Sequence, residues 1–288
     1  MDTDYSIWAF CYAHSTMPHD FFGGVLLNSN RGTLQIPMVF SAIHGGPVGE
    51  TPRPIVIDTG MTGKWSPSGN SYPDHETPAQ VLAKVGLQAA AIETVVLTHL
   101  HFDHVGNLDA FPAATFYVQR REYESWCRVV ADSSRTMDKV WGEWPLSSIY
   151  PPDFERLGEL EAAGRLVLLD GDSEIVPGVV CHLAADSHTF GSQWVEVRTE
   201  DGPYVVAGDC VYWYQNLEQR WPPGYVQGNP WNLLELYTEL DALLTGRCER
   251  LVPGHDPELF RRHPSWIAGK NEIAELHAAA ALGSKLPR

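Results

Sequence analysis

Apolar and polar positions along this chain divide it into two rounds of strand-like segments followed by helix-like ones. Segments 5–12, 24–29, 36–42 and 54–58 are rich in Ile, Val, Phe and Tyr and punctuated by Gly, Asn and Pro, which predicts β-strands. Thr77-Pro78 supplies an N-cap and a first-turn proline ahead of apolar spacing that predicts a helix to Val85. A strand over 94–98 follows, then helical stretches near 105–110 and 120–130 with a strand at 115–118 between them. Asp153 to Ala163 predicts a charged surface helix, followed by strands at 165–169, 179–183, 194–199 and 204–207. Helix 232–244, strand 250–252 and a last helix within 264–281 complete the pattern. Segment 131–152 is less regular and carries Trp141, Trp144, Pro145, Tyr150, Pro151 and Pro152. It reads equally well as a flap beside an active site or as a packed connection.

No internal repeat, low-complexity tract or linker interrupts the 288 residues, so one domain over 1–288 is expected, with length enough for a substantial core. The formal charge is −16, from 20 basic and 36 acidic residues. Such a surface repels phosphate backbones, which argues against a nucleic-acid partner. No apolar stretch approaches membrane-span length, and no basic segment followed by an apolar run and a small-residue cleavage site opens the chain. Cys11, Cys127, Cys181, Cys210 and Cys248 are scattered, odd in number and free of CxxC pairs. They read as buried thiols of a cytoplasmic protein and not as a disulfide framework.

The chemistry concentrates in His99-Leu-His101-Phe-Asp103-His104, directly after the apolar run Thr94-Val-Val-Leu97. Imidazole nitrogen and carboxylate oxygen suit zinc and other borderline divalent ions, and a motif without cysteine argues against a soft thiolate site. His99 and His101 are two residues apart and point the same way in extended backbone. Asp103 and His104 follow after the strand has turned and face a second position nearby. Two ions are therefore expected in place of one.

This HxHxDH pattern resembles the metallo-β-lactamase superfamily, and further elements arrive in the order of that family. His188 lies in Asp186-Ser187-His188-Thr189-Phe190-Gly191, with Ser187 where glycine is usual. Gly208-Asp209 closes the apolar strand Tyr204-Val-Val-Ala207, and Pro253-Gly254-His255-Asp256 closes another. Asp58-Thr59-Gly60 resembles a turn whose aspartate supports the site without binding metal. The resemblance implies an α/β (α+β) fold, a four-layer αββα sandwich, and a dinuclear centre. His99, His101 and His188 would serve one ion, Asp103, His104 and His255 the other, with Asp209 between them. Zn²⁺ is the expected metal, with Mn, Fe or Co as alternatives.

Two divalent ions, two carboxylates and a bridging hydroxide leave one formal positive charge, which stabilises the hydroxide nucleophile and the oxyanion made by its attack on a carbonyl. Ester or amide hydrolysis is the implied reaction, with Asp103 relaying a proton to the leaving group. Tyr212, three residues after Asp209, has the spacing seen in N-acyl homoserine lactonases and related small-lactone hydrolases, where the phenol hydrogen-bonds the substrate carbonyl. The aromatics Phe21, Phe22, Phe102, Phe190, Trp213, Tyr214, Trp221 and Trp231 are candidates for the wall of an apolar cavity, favouring an acyl chain or flat ring. The expected substrate is a small cyclic ester with an apolar or aromatic substituent. Competing readings are a cyclic amide (lactam) hydrolase, a glyoxalase II-type thioesterase and a non-catalytic metal-stabilised binding protein. A homodimer is left open, as are the roles of segments 13–24 and 131–152.

Overall fold

The first strand is laid down by strict alternation. In β1 (Thr3–Pro18) Trp8, Phe10 and Tyr12 enter one hydrophobic core, while Tyr5, Ile7, Ala9 and Cys11 enter another on the opposite face. A strand apolar on both faces must lie inside the molecule, and β1 does. It runs antiparallel to β2 (Thr33–Pro47) along nearly its whole length. The computed structural model describes residues 3–23, 31–63, 66, 69–136 and 144–280, so the strand expected at 24–29 falls outside the described residues.

β3 (Arg53–Ile57), β4 (Thr94–Val96), β5 (Thr115–Gln119) and β6 (Leu166–Leu169) continue the sheet as parallel neighbours. A second sheet holds β7 (Ser173–Val176), β8 (Val179–Ala185), β9 (Gly191–Thr199), β10 (Gly202–Gly208) and β11 (Leu251–Pro253). β10 and β11 are parallel there. The larger sheet runs β12-β13-β1-β2-β3-β4-β5-β6 and the smaller β11-β10-β9-β8-β7, where β12 is Ser265–Ala268 and β13 is Asn271–His277.

The helices cover the outer faces. α1 (Pro78–Lys84) has the expected Thr77 capping box, closed by reciprocal bonds with Gln80. After α2 (Phe102–Val105), α3 (Arg120–Thr136) and α4 (Pro151–Ala162) add Trp126, Phe154, Leu157 and Leu160 to the core on the large sheet's outer face. Beyond the short α5 (Tyr214–Gln219), α6 (Pro230–Leu244) presents Leu233, Leu236, Tyr237, Leu240 and Leu244 at helical spacing to the small sheet. The result is the expected helix–sheet–sheet–helix layering. Gln193 stitches the sheets together: its Nε2 donates to Leu97 O at 2.8 Å and its backbone N–H to Thr98 O at 2.8 Å.

Some expectations need correcting. The helix expected within 264–281 is the hairpin β12–β13, whose second strand pairs with β1. Its Ala- and Glu-rich sequence favours helix locally, but pairing with the central strand outweighs that preference. The stretch near 105–110 is split between α2 and a single 3-10 turn at Leu108–Ala110. Within 131–152, α3 runs on to Thr136 and a 3-10 turn occupies Trp144–Leu146; Trp141 lies outside the described residues.

Candidate metal centre

Every chemistry-bearing loop leaves the carboxyl end of a strand, where open sheets characteristically place ligands. β3 delivers Asp58, β4 the His99–His104 run, β8 His188, β10 Asp209 and β11 His255. Ligand-capable atoms of His99, His101, His188 and Asp209 lie within 4.8 Å of one another, and so do those of Asp103, His104 and His255. All seven side chains are buried. Asp209 faces both groups. Its Oδ2 is 3.8 Å from His99 Nε2 and 3.4 Å from His188 Nε2, while its Oδ1 is 3.3 Å from His104 Nε2 and 3.1 Å from His255 Nε2. Asp103 Oδ2 is 3.7 Å from both His104 Nε2 and His255 Nε2.

Glycine permits this convergence. A Cβ on Gly254 would run into Asp209 Oδ1, and Gly208 holds φ +50° where a side chain would meet Thr98.

The rings are aimed from behind. His104 Nδ1 meets Asp58 Oδ2 at 2.7 Å, His255 Nδ1 meets Pro37 O at 3.1 Å, and His101 Nε2 meets Gln227 Oε1 at 2.8 Å. Thr98 donates its hydroxyl to Asp58 Oδ2 at 2.8 Å and lies 3.1 Å from His99 Nδ1. These contacts turn His99 Nε2, His101 Nδ1, His104 Nε2 and His255 Nε2 inward. Asp58 itself is held at φ +66°, an uncommon conformation for a residue with a side chain. The support expected of that aspartate is present.

Divalent cations fit this arrangement. His99 Nε2, His104 Nε2 and Asp209 Oδ1 are buried without any hydrogen-bond partner, a costly state for polar atoms. Burial, reinforced by the other imidazoles, pushes His99 well below its ordinary pKa; burial also takes His101 to about 4. Burial opposes ionisation of Asp209, yet His255 and His104 hold its carboxyl well below the usual range. Burial likewise opposes charge on His104, but Asp209, Asp103 and Asp58 lift it well above the ordinary imidazole value. The carboxylates thus call for positive charge at the centre, and neutral imidazoles stand ready beside it. Three to four N and O donors per position, with no cysteine, suit zinc-like ions and leave coordination positions open.

A cavity of about 220 Å³ opens over the site. His101, Asp103, Asp209, His255 and Tyr212 form its floor, with Phe21, Met17, Ile36, Met38 and Phe102 on the apolar side. Tyr212 is fully buried; its ring lies 5.3 Å from His188 and 5.5 Å from His255, and is stacked parallel to Phe21 at 5.8 Å. Its hydroxyl makes one long bond, to Tyr225 O at 3.4 Å. The candidate aromatics divide between the cavity wall and the core. Phe21 and Phe102 line the cavity, whereas Phe22, Trp213 and Tyr214 are packed in the core, Phe190 packs on Trp126, and Trp231 is 72% exposed. Trp221 is absent from the lining as well. Sequence reasoning missed Met17, Met38, Tyr72, Ser147, Ser148 and Tyr225, which come from strand faces and connections carrying no motif. Ser147 and Ser148 bring part of segment 131–152 to the cavity; Phe21 does the same for segment 13–24.

Residues 52–255 match the metallo-β-lactamase superfamily. The N-acyl homoserine lactonase AttM of Azorhizobium caulinodans is 25% identical over 84% of this chain and 92% of its own length. Among solved structures, an N-acyl homoserine lactone hydrolase with N-hexanoyl-L-homoserine at its catalytic metal centre is 21% identical. It superposes with TM-score 0.65 over 92% of this chain and 98% of its own. AidC, described as a dizinc quorum-quenching lactonase, is 16% identical with TM-score 0.64, over 88% of each chain.

Proposed function

The chain belongs to the metallo-β-lactamase superfamily, and on that premise we propose that it is a dinuclear metal-dependent hydrolase that opens a small cyclic ester carrying an apolar or aromatic substituent. The observation that carries this reading is Asp209, whose two oxygens face two separate groups of inward-turned donors beneath one cavity. His99, His101 and His188 would hold one ion, Asp103, His104 and His255 the other, with Asp209 shared. Two divalent ions there, Zn²⁺ being the best match to the donors, would supply Lewis acidity and a hydroxide nucleophile at neutral pH.

The chain's own groups do the rest. Tyr212 presents a phenol whose pKa burial raises well above the ordinary value, so it remains a neutral donor that can follow a carbonyl oxygen as that oxygen gains charge. Its weak bond to Tyr225 O is readily exchanged for one to substrate. Asp103 stands at the cavity floor, 3.7 Å from His104 and His255, placed to carry a proton to the departing alkoxide. Met17, Phe21, Ile36, Met38 and Phe102 offer apolar contact to the substituent. Among the described residues no Lys or Arg lines the cavity, which disfavours an anionic thioester such as a glutathione conjugate. The lactonases among the relatives support the ester reading.

The test is a panel of lactones, lactams and thioesters with metal-loaded protein. Ring opening of lactones by at least tenfold in kcat/KM over the other classes is expected. Preference for lactams would move the reading to cyclic amidase, and turnover of none at full metal occupancy would end it.

A further inference from the structure

Gln227 lies on neither the HxHxDH run nor any later ligand motif, yet it touches three parts of the site. Its Oε1 is 2.8 Å from His101 Nε2, its Nε2 donates to Trp144 O at 3.3 Å, and its backbone N–H donates to His188 O at 3.0 Å. The orientation of the amide follows from chemistry. A backbone carbonyl only accepts, so the NH₂ group must face Trp144 O and the oxygen must face His101. His101 therefore carries its hydrogen on Nε2. Its Nδ1 lone pair is left pointing into the cluster, 3.0 Å from His188 Nε2.

The two donor groups are backed unequally. His104 has a carboxylate behind it, from Asp58 at 2.7 Å, and its group contains Asp103 as well. His101 has only the neutral amide of Gln227, and His99 meets the hydroxyl of Thr98, which reaches Asp58 at one remove. A carboxylate behind a ligand imidazole makes that ligand more basic than a neutral acceptor does.

Resting on the two-ion reading above, we propose that Gln227 is a positioning residue that makes the His99/His101/His188 position the weaker of two unequal metal sites. The Asp103/His104/His255 position fills first and the Gln227-backed position second. The same amide links His101 to the segment at the cavity wall. Trp144 O, which accepts from the other end of Gln227, also accepts from the hydroxyl of Ser147 at 2.8 Å, and Ser147 lines the cavity.

Stepwise Zn²⁺ titration of the metal-free protein against a chromophoric chelator tests this. The parent protein binds two ions with distinct constants. Gln227→Ala weakens only the weaker constant, by about 10- to 100-fold, and leaves the thermal midpoint of the metal-free protein where it was. Gln227→Glu strengthens the weaker constant and narrows the gap, a change that a purely space-filling role would not produce. The Asp58 carboxylate meets His104 directly and His99 only through Thr98, so Asp58→Asn weakens the tighter constant more than the weaker one, which identifies the two sites. If Gln227→Ala moved neither constant or moved the tighter one, or if Gln227→Glu failed to strengthen the weaker, the assignment of Gln227 falls while the two-ion site stands. Binding of fewer than two ions by the parent protein would sink both.

Discussion

Asp58 and His104 meet at 2.7 Å, carboxylate Oδ2 to imidazole Nδ1, with neither side chain more than 4% exposed. The same carboxylate accepts the Thr98 backbone N–H at 2.7 Å through Oδ1. Asp58 thereby fixes both the tautomer of one candidate ligand and the turn from which the others emerge. Asn keeps the shape and tolerates the left-handed backbone but loses the charge. Asp58→Asn is expected to lower affinity for one metal ion about 10- to 100-fold, measured by chelator competition. Unchanged affinity would remove Asp58 from the support of the site.

Tyr212 lies against His188 and His255 and bonds Tyr225 O through its hydroxyl, so on the proposed reading its removal separates chemistry from metal binding. Tyr212→Phe should retain both ions and lower kcat by about ten- to a hundredfold, with KM changed less. Metal analysis and steady-state kinetics on the same preparation check this. Full activity in the variant would leave the phenol a packing group only.

Gly254 is pressed against Asp209. Gly254→Ala forces a methyl group into Oδ1 and must displace either the strand end or the shared carboxylate. The expected result is loss of metal together with about 1–3 kcal/mol of stability, the usual cost of overpacking. Thermal unfolding and metal content measured together decide between a lost site and a lost fold.

Asp153 provides a pH signature away from the centre. Burial raises its carboxyl to about 7, only partly offset by the Thr62 hydroxyl at 3.2 Å, and its Oδ2 has no partner. The folded chain therefore holds this proton more tightly than the unfolded chain, so stability falls as pH rises from about 4 to about 7 and is level above. Asp153→Asn should stabilise the protein at pH 8 by on the order of 2 kcal/mol, with the advantage vanishing near pH 4. Melting curves of both proteins across that range would show it, and equal curves at pH 8 would contradict it.

The site was far more legible than its cavity. Ligands at strand ends announce themselves, because a polar cluster such as His99–His104 after an apolar run has little structural reason to exist. Asp58, His188, Asp209 and His255 each follow a short strand, and the fold brings all of them together. Met17, Met38 and Ser148 carry no such mark, since nothing local distinguishes a residue facing a cavity from one facing a core. Gln227 was equally silent, being an amide in a connection that acquires its role only through His101. The β12–β13 hairpin was hidden by helix-favouring Ala and Glu. Its two-residue loop Gly269-Lys270, with glycine first at φ +68°, was the one local signal for a hairpin.

Metal content is the most direct test of the central claim, that seven buried side chains hold two cations around Asp209. Elemental analysis of protein purified without chelator should return two equivalents of divalent metal per chain, predominantly zinc, falling to one or none in Asp209→Ala. One equivalent or less in the parent protein after zinc reconstitution, or two equivalents retained in Asp209→Ala, would contradict it.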